Sequence, residues 1–287
     1  MNYRHAFHAG NFADVVKHVL LARILVYMMR KDAPLRFIDT HAGVGRYDLS
    51  GNEAKRSGEW RYGVARLKDA SPPPAIAALL EPYLKALGPL DAQGRTKAYP
   101  GSPAIAQELL RAQDRIALSE LHPEDRAALV VHMGHDARLS IVEIDGYVAL
   151  NAWLPPKERR GLVLIDPPYE EVNEPKRVAE ALARALAKWP TGTYALWRPI
   201  KDRRDDARFL NAIGAIGAPN ILQMELDVGH IPPTAHSLEP LTRTGLLVVN
   251  PPHILIDEAR ALLPWLATLL AREGHGASSC SWLTPPK

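Results

Sequence analysis

Short, wholly apolar runs alternate along this chain with longer segments whose apolar positions recur every three or four residues, which is the pattern of strands and amphipathic helices in turn. The first periodic segment, residues 11–29, places Val15, Val19, Ala22 and Val26 along one helical face, with Asn11 as its cap. A short buried strand at 36–39 follows and enters the loop Thr40-His41-Ala42-Gly43-Val44-Gly45. Residues 46–98 break the rhythm. They hold the polar stretch Lys55-Arg56-Ser57-Gly58-Glu59, a helical pattern over 62–68, the triproline 72–74 and a helix over 75–87. Regular alternation then resumes: helix 102–112, strand 115–119, helix 124–132, strand 140–144, helix 148–153, strand 162–165, helix 175–189, strand 193–197 and helix 203–216. Strands at 221–227, 245–249 and 278–283 close the chain, with a helix over 257–272 before the last of them.

Repeated β–α units predict an α/β protein with a doubly wound, mostly parallel, Rossmann-like sheet, and the hairpin-like end predicts one antiparallel strand. The interruption reads as a small inserted helical subdomain, so the expected division is 1–45 with 99–287 for the main domain and 46–98 for the insertion. A chain of 287 residues is long enough to bury a large core in this arrangement.

Composition narrows the function classes. The net charge of +3 permits a polyanionic partner without requiring one. Cys280 is the single cysteine, which excludes a disulfide framework and a thiolate metal cluster and suits a reducing compartment. No stretch of eighteen apolar residues occurs and the first residues do not read as a signal peptide, so a cytoplasmic monomer is expected, with no membrane span. No pair among the 11 histidines has close helical spacing with a third ligand nearby, so no metal is expected.

In a doubly wound sheet, ligands bind outside the carboxyl ends of the strands. This chain puts acids at four of those ends in series: Asp39, Glu120, Asp145 (followed by Gly146) and Asp166. Any one of them would pass for a turn or cap residue. The glycine loop fails the dinucleotide fingerprint, because Asp48 stands at the third glycine position after Gly43 and Gly45. Glu120, after its own strand, could accept both hydroxyls of a ribose.

The most specific signal is Asp166-Pro167-Pro168-Tyr169, placed directly after the apolar run 161–165. A carboxylate at the end of a buried strand is costly unless it is used. Two prolines lead the chain rigidly out of the sheet and leave a carbonyl free to accept. Carboxylate, carbonyl and aromatic face together suit a planar aromatic amine, whose two N–H groups need acceptors and whose ring needs a stacking partner. This is the amino-methyltransferase signature. Asn250-Pro251-Pro252-His253 imitates it after a later strand, but histidine is a poorer stacking platform and the position is too late in the strand order to face a cofactor.

Together with blocks such as Tyr3-Arg4-His5, Phe7-His8-Ala9-Gly10-Asn11, Ala13-Asp14-Val15, Asp39-Thr40-His41-Ala42-Gly43, Tyr99-Pro100-Gly101-Ser102-Pro103 and Glu120-Leu121-His122-Pro123, the motif makes the chain resemble, from end to end, the RlmJ family of 23S ribosomal RNA adenine-N6 methyltransferases. The resemblance implies a class I methyltransferase fold with an inserted helical subdomain, S-adenosylmethionine as donor and one adenine of 23S ribosomal RNA as acceptor. It implies Asp166 as the catalytic residue, and cofactor contacts from His18, His41, Ser102, Glu120, Asp145, Gly146 and Asp166. Lys17 ranks behind them. The substrate would meet Tyr3, on an N-terminal segment that closes over the site, Pro167 and Tyr169. On residue pattern alone, Ser102 before Pro103 also reads as a helix cap. The insertion is the poorest match to the family.

Alternatives differ in acceptor or in class. The same tetrapeptide serves DNA adenine or cytosine-N4 methylation, and its asparagine form serves glutamine amides; no separate DNA target-recognition domain is visible. A catalytically silent RNA-binding protein would show RNA affinity without methyl transfer. Cations for phosphate are offered by Arg4, Lys55, Arg56, Arg61, Arg66 and Lys68, whereas Lys201-Asp202-Arg203-Arg204, followed by two acids, reads as a solvated helix face.

Overall fold

The computed structural model describes residues 4–232 and 240–286. Ten strands occur in it: β1 Arg36–Asp39, β2 Arg46–Tyr47, β3 Tyr99–Pro100, β4 Arg115–Ser119, β5 Leu139–Val142, β6 Gly161–Ile165, β7 Thr193–Pro199, β8 Ile221–Asp227, β9 Arg243–Val249 and β10 Ala277–Thr284. The α-helices are α1 Phe12–Met28, α2 Asn52–Ser57, α3 Pro74–Leu87, α4 Ser102–Leu109, α5 Pro123–Met133, α6 Gly146–Trp153, α7 Glu174–Lys188, α8 Arg203–Gly214 and α9 Leu255–Leu270.

Eight strands form one sheet in the order β10-β8-β9-β7-β6-β1-β4-β5. The block from β7 to β5 is parallel throughout. Two strands, β9 and β10, run against their neighbours, where the sequence pattern predicted one. β10 is an edge strand whose residues alternate between exposed and half-buried, so its direction leaves little trace in an apolar pattern. The pair β2–β3 forms a separate small ladder that two-residue strands cannot announce in sequence.

Strand alternation divides the core. Leu162 and Leu164 of β6 face one apolar cluster with α1, α4 and α9, whereas Val163 and Ile165 face a second with α6, α7 and α8. Helix α1 is enclosed on nearly all sides, and Asp14, Lys17, His18 and Arg23 are buried along with its apolar residues. An all-round buried helix has little use for charges unless they are paired, so these four mark where α1 meets something polar.

Residues 46–98 hold α2, two 3-10 turns (Glu59–Tyr62 and Val64–Leu67) and α3. The 3-10 turns replace the single helix predicted over 62–68, since Gly63 separates them in a conformation outside the helical region. Trp60, Val64, Leu80 and Tyr83 join the α1 side of the core. Gly63 presses against the turn ahead of α1: a Cβ there would lie 2.0 Å from the Gly10 carbonyl oxygen, to which Val64 N–H also donates at 2.8 Å. Gly63→Ala is therefore expected to destabilise the protein by about 1–3 kcal/mol through overpacking, read as a lower urea midpoint. An unchanged midpoint would show that the turn can move aside.

Candidate active site

The carboxyl ends of β1, β4, β5 and β6 surround a cleft with 1020 Å³ of empty space, its open mouth included. His18, His41, Ser102, Glu120, Asp145, Gly146, Asp166 and Pro167 all line it. Lys17, His5, Gly43 and Arg177 line it too. Tyr3 lies outside the described residues.

Asp166 leaves the end of β6 and meets Lys17 from α1, Nζ to Oδ2 at 2.5 Å. The same ammonium is 3.0 Å from Asp14 Oδ1, one turn back on the helix. Asp14 Oδ2 accepts in turn from the Gly10 N–H and contacts His5 Nε2, each at 2.9 Å. Burial alone would lower the Lys17 pKa, but the two carboxylates more than offset it and hold the ammonium above its ordinary value. Burial would raise Asp14; His5 and Lys17 hold it well below the usual carboxylate range. The result is a charged row Asp14–Lys17–Asp166 beneath the cleft floor, with Lys17 also 5.7 Å from the Trp197 ring centroid. Its bond to Oδ2 fixes the plane of Asp166. Sequence reasoning ranked Lys17 low; the signal that could have found it was an Asp14/Lys17 pair, three residues apart, on a helix otherwise suited to full burial.

The loop after β1 is built around a second carboxyl. Asp39 accepts from Ser102 Oγ at 2.6 Å and from the His41 N–H at 3.1 Å. Ser102 thus ties the start of α4 to β1 and makes no side-chain cap bond to its own helix. Burial pushes Asp39 up to about 7, against the pull of those two hydrogen bonds. Burial pulls His41 down to about 4, so its ring is neutral, with Nδ1 2.8 Å from the Thr40 hydroxyl. Gly43 adopts a left-handed φ of 60°, and a Cβ there would meet the Tyr47 hydroxyl at 2.3 Å. Its N–H donates to Glu120 Oε2 at 2.8 Å, and the His122 N–H donates to Oε1 at 2.9 Å. Glu120 is raised by burial, closes the loop and lines the cleft. Asp145 caps α6 through the Tyr147 and Val148 N–H groups and pairs with Arg177 at 3.1 Å.

His18 stands at the start of a buried relay. Its Nδ1 is 2.9 Å from the Tyr99 hydroxyl, which is 3.3 Å from that of Tyr83. Burial lowers His18 to about 3, so the ring carries one proton. If that proton sat on Nδ1, Tyr99 would have to donate to Tyr83, whose own proton would lack an acceptor. Placing it on Nε2 lets Tyr83 donate to Tyr99 and Tyr99 to Nδ1, satisfying all three groups. His18 then presents an N–H donor to the cleft.

Tyr169 is not among the cleft residues. Its ring is edge-on to Trp197 at 5.9 Å, its hydroxyl donates to the Trp197 carbonyl at 2.8 Å, and its backbone has a left-handed φ of 51°. That conformation stores strain in a bulky residue, of order 1–3 kcal/mol, and such outliers collect at functional sites. The imitation motif is excluded by direction. β9 is antiparallel, so Val249 pairs with Tyr194 at the start of β7 and Asn250 emerges at the far end of the sheet. There Asn250 donates to the Pro190 and Gly192 carbonyls, and His253 bonds Tyr27.

Among the described residues no cluster of histidine, cysteine, aspartate or glutamate could hold a metal, and no helix is long and apolar enough to cross a membrane. The Asp39 carboxyl carries a testable sign. Its native pKa lies near 7 and its unfolded value near the usual ~4, so between those limits the native state binds more protons and stability falls as pH rises. Asp39→Asn should flatten that decline in urea-unfolding free energies measured from about pH 4 to pH 7. Parallel slopes for both proteins would contradict a protonated Asp39.

A family model described as ribosomal RNA large subunit methyltransferase D, RlmJ, matches residues 32–284. The chain is 40% identical over 285 residues to the ribosomal RNA large subunit methyltransferase J of Escherichia coli K12, covering 99% of each. It is 41% identical over 286 residues to the protein of the same name from Haemophilus influenzae, again covering 99% of each. The crystal structure of protein LPL1258 from Legionella pneumophila superposes with a TM-score of 0.84 at 34% identity, covering 96% of this chain and 98% of that one. Acids at successive strand ends, a neutral imidazole donor and a cleft with excess negative charge all suit a nucleoside that carries an amino acid and a sulfonium. The chain belongs to the RlmJ family of ribosomal RNA large subunit methyltransferases, whose methyl donor is S-adenosylmethionine.

Proposed function

We propose that this chain methylates the exocyclic N6 amine of one adenine in 23S ribosomal RNA, acting in the cytoplasm on a base flipped into the Asp166–Tyr169 pocket. The observation that carries the reading is the held carboxyl: Asp166 lines the cleft and Lys17 occupies its Oδ2, which would leave Oδ1 for an acceptor amine. Family membership supports the RNA acceptor, since both relatives are named for the large-subunit RNA.

The acceptor amine is a weak nucleophile because its lone pair is delocalised into the purine. Asp166 Oδ1 and the Pro167 carbonyl would each accept one amino N–H, rotating the lone pair out of the ring plane toward the donor. Positioning of this kind can contribute on the order of 7–11 kcal/mol. When bound, S-adenosylmethionine supplies a methyl group made electrophilic by its sulfonium sulfur. Its amino-acid end would be held by the His18 N–H and the loop after β1, its ribose by Glu120, and its adenine beside Asp145 and Gly146. Lys17 holds the Asp166 carboxyl in one orientation, so Asp166 acts by positioning the amine. As the N–C bond forms the sulfonium S–C bond breaks and S-adenosylhomocysteine leaves, and the methylated nitrogen, now far more acidic, gives its extra proton to water. Tyr169 would stack on the flipped base by releasing the Trp197 carbonyl, a change that its strained backbone favours; base stacking contributes roughly 1–3 kcal/mol. Residues 46–98 act as the inserted unit that braces the N-terminal turn.

Incubation with labelled S-adenosylmethionine and unmodified 23S RNA, followed by nucleoside mass spectrometry, should yield N6-methyladenosine. Asp166→Ala should abolish it while donor binding survives in part; full activity in this variant would overturn the assignment. Lys17→Met should lower kcat by about a hundredfold by loosening the carboxylate. An unchanged kcat would show that the ion pair does not hold the catalytic geometry.

A further inference from the structure

We propose that an arginine–aromatic face, formed by the N-terminal turn, the inserted segment and the end of α9, docks the single-stranded RNA flanking the target adenine. The proposal rests on the functional reading above and adds a second site outside the cleft. Arg272 lies over the Tyr62 ring, its Cζ 3.3 Å from the centroid, and Arg66 approaches the same ring at 5.9 Å. Arg56 lies over Phe7 at 5.6 Å, and Arg61 over Trp60 at 5.2 Å. Two segments remote in sequence therefore supply four guanidinium groups, and the N-terminal turn adds one of the three rings they lie over. Tyr62 is 40% exposed, and Arg56, Arg61 and Arg66 are exposed as well.

Several arginines outside the face are held by acids. Arg23, Arg36, Arg111, Arg126 and Arg138 each pair with a carboxylate. Among the described residues Arg56, Arg61, Arg66 and Arg272 pair with none. Glu59, the acid within the face, is taken by His8 and Asn11, each at 3.0 Å. Arg66 and Arg272 bring two like charges to one tyrosine; burial, with Arg66 behind it, lowers the Arg272 pKa, while Tyr62, Glu273 and Glu59 pull it the other way. An anion would relieve that crowding. Guanidinium planes spread on aromatic rings offer stacking surfaces for bases and forked donors for phosphates, the combination that single-stranded RNA uses. The face is also in the right place. Phe7 belongs to the same turn as His5, which lines the cleft and contacts Asp14; Ser57 Oγ donates to the Phe7 carbonyl. A strand leaving the cleft past His5 would run directly onto this surface.

The test is direct binding of an unmodified, fluorescently labelled 23S RNA fragment across a salt series, alongside calorimetric affinity for S-adenosylmethionine. In the Arg66→Glu/Arg272→Glu double variant, RNA Kd should rise by about tenfold or more, and the slope of log affinity against log salt should flatten by roughly one to two. Affinity for the methyl donor should stay within twofold. Tyr62→Ala should weaken RNA binding several-fold without changing net charge. Arg184→Glu is the control: it lies on α7 toward the end of the helix away from the cleft, and should change RNA Kd less than twofold. Equal RNA affinity and salt slope in the double variant would overturn the proposal, as would an equal loss in Arg184→Glu. Tight RNA binding by the unaltered protein without methyl transfer would count against the methyltransferase reading and would leave the face assigned to RNA.

Discussion

The ammonium of Lys17, wedged between Asp14 and Asp166, is the interaction on which the site depends. It joins the first helix of the chain to the end of a central strand, across 149 residues of sequence, and occupies one oxygen of Asp166. A buried pair like this is poor evidence for stability, because desolvation can exceed the Coulombic gain. Its value is orientation. The row continues outward through Asp14, which branches to the Gly10 N–H and to His5, so the posture of the N-terminal turn and that of the Asp166 carboxyl are linked by three successive polar contacts.

The rest of the fold supplies the frame for that row. Parallel strands deliver Asp39, Glu120, Asp145 and Asp166 to one edge of the sheet, and each is then put to a different use by its surroundings. Asp39 is buried deeply enough to hold its proton up to about pH 7 and ties Ser102 to the first loop. Glu120 closes that loop through two backbone N–H groups. Asp145 is a helix cap with a spare oxygen on Arg177. Only Asp166 among the four meets a buried cation, and that difference in environment sets it apart from the other three.

Much of this was legible in the sequence because the central strands are buried on both faces and read as uninterrupted apolar runs. Once the strands were placed, the acids at their ends followed, and so did the Asp166-Pro167-Pro168 turn. The row beneath them was less legible. Lys17 looks like an ordinary helical lysine until α1 is seen to be enclosed on all sides, which no local pattern states. The stacking role expected for Tyr169 came from the Asp166–Tyr169 motif; its bond to the Trp197 carbonyl depends on β7, where Trp197 lies 28 residues on in the chain but in the strand next to β6. The arginine–aromatic face was half visible, since the basic residues of the insertion stand out, but Arg272 reaches Tyr62 only through the packing of α9.

The most direct test of the central claim is a crystal structure of the protein with S-adenosylhomocysteine and a short RNA carrying the target adenine. The adenine N6 should lie about 3 Å from Asp166 Oδ1 and from the Pro167 carbonyl, while Lys17 stays on Oδ2. A base held by other acceptors, or a Lys17 that has let go of Asp166 in the bound state, would contradict it.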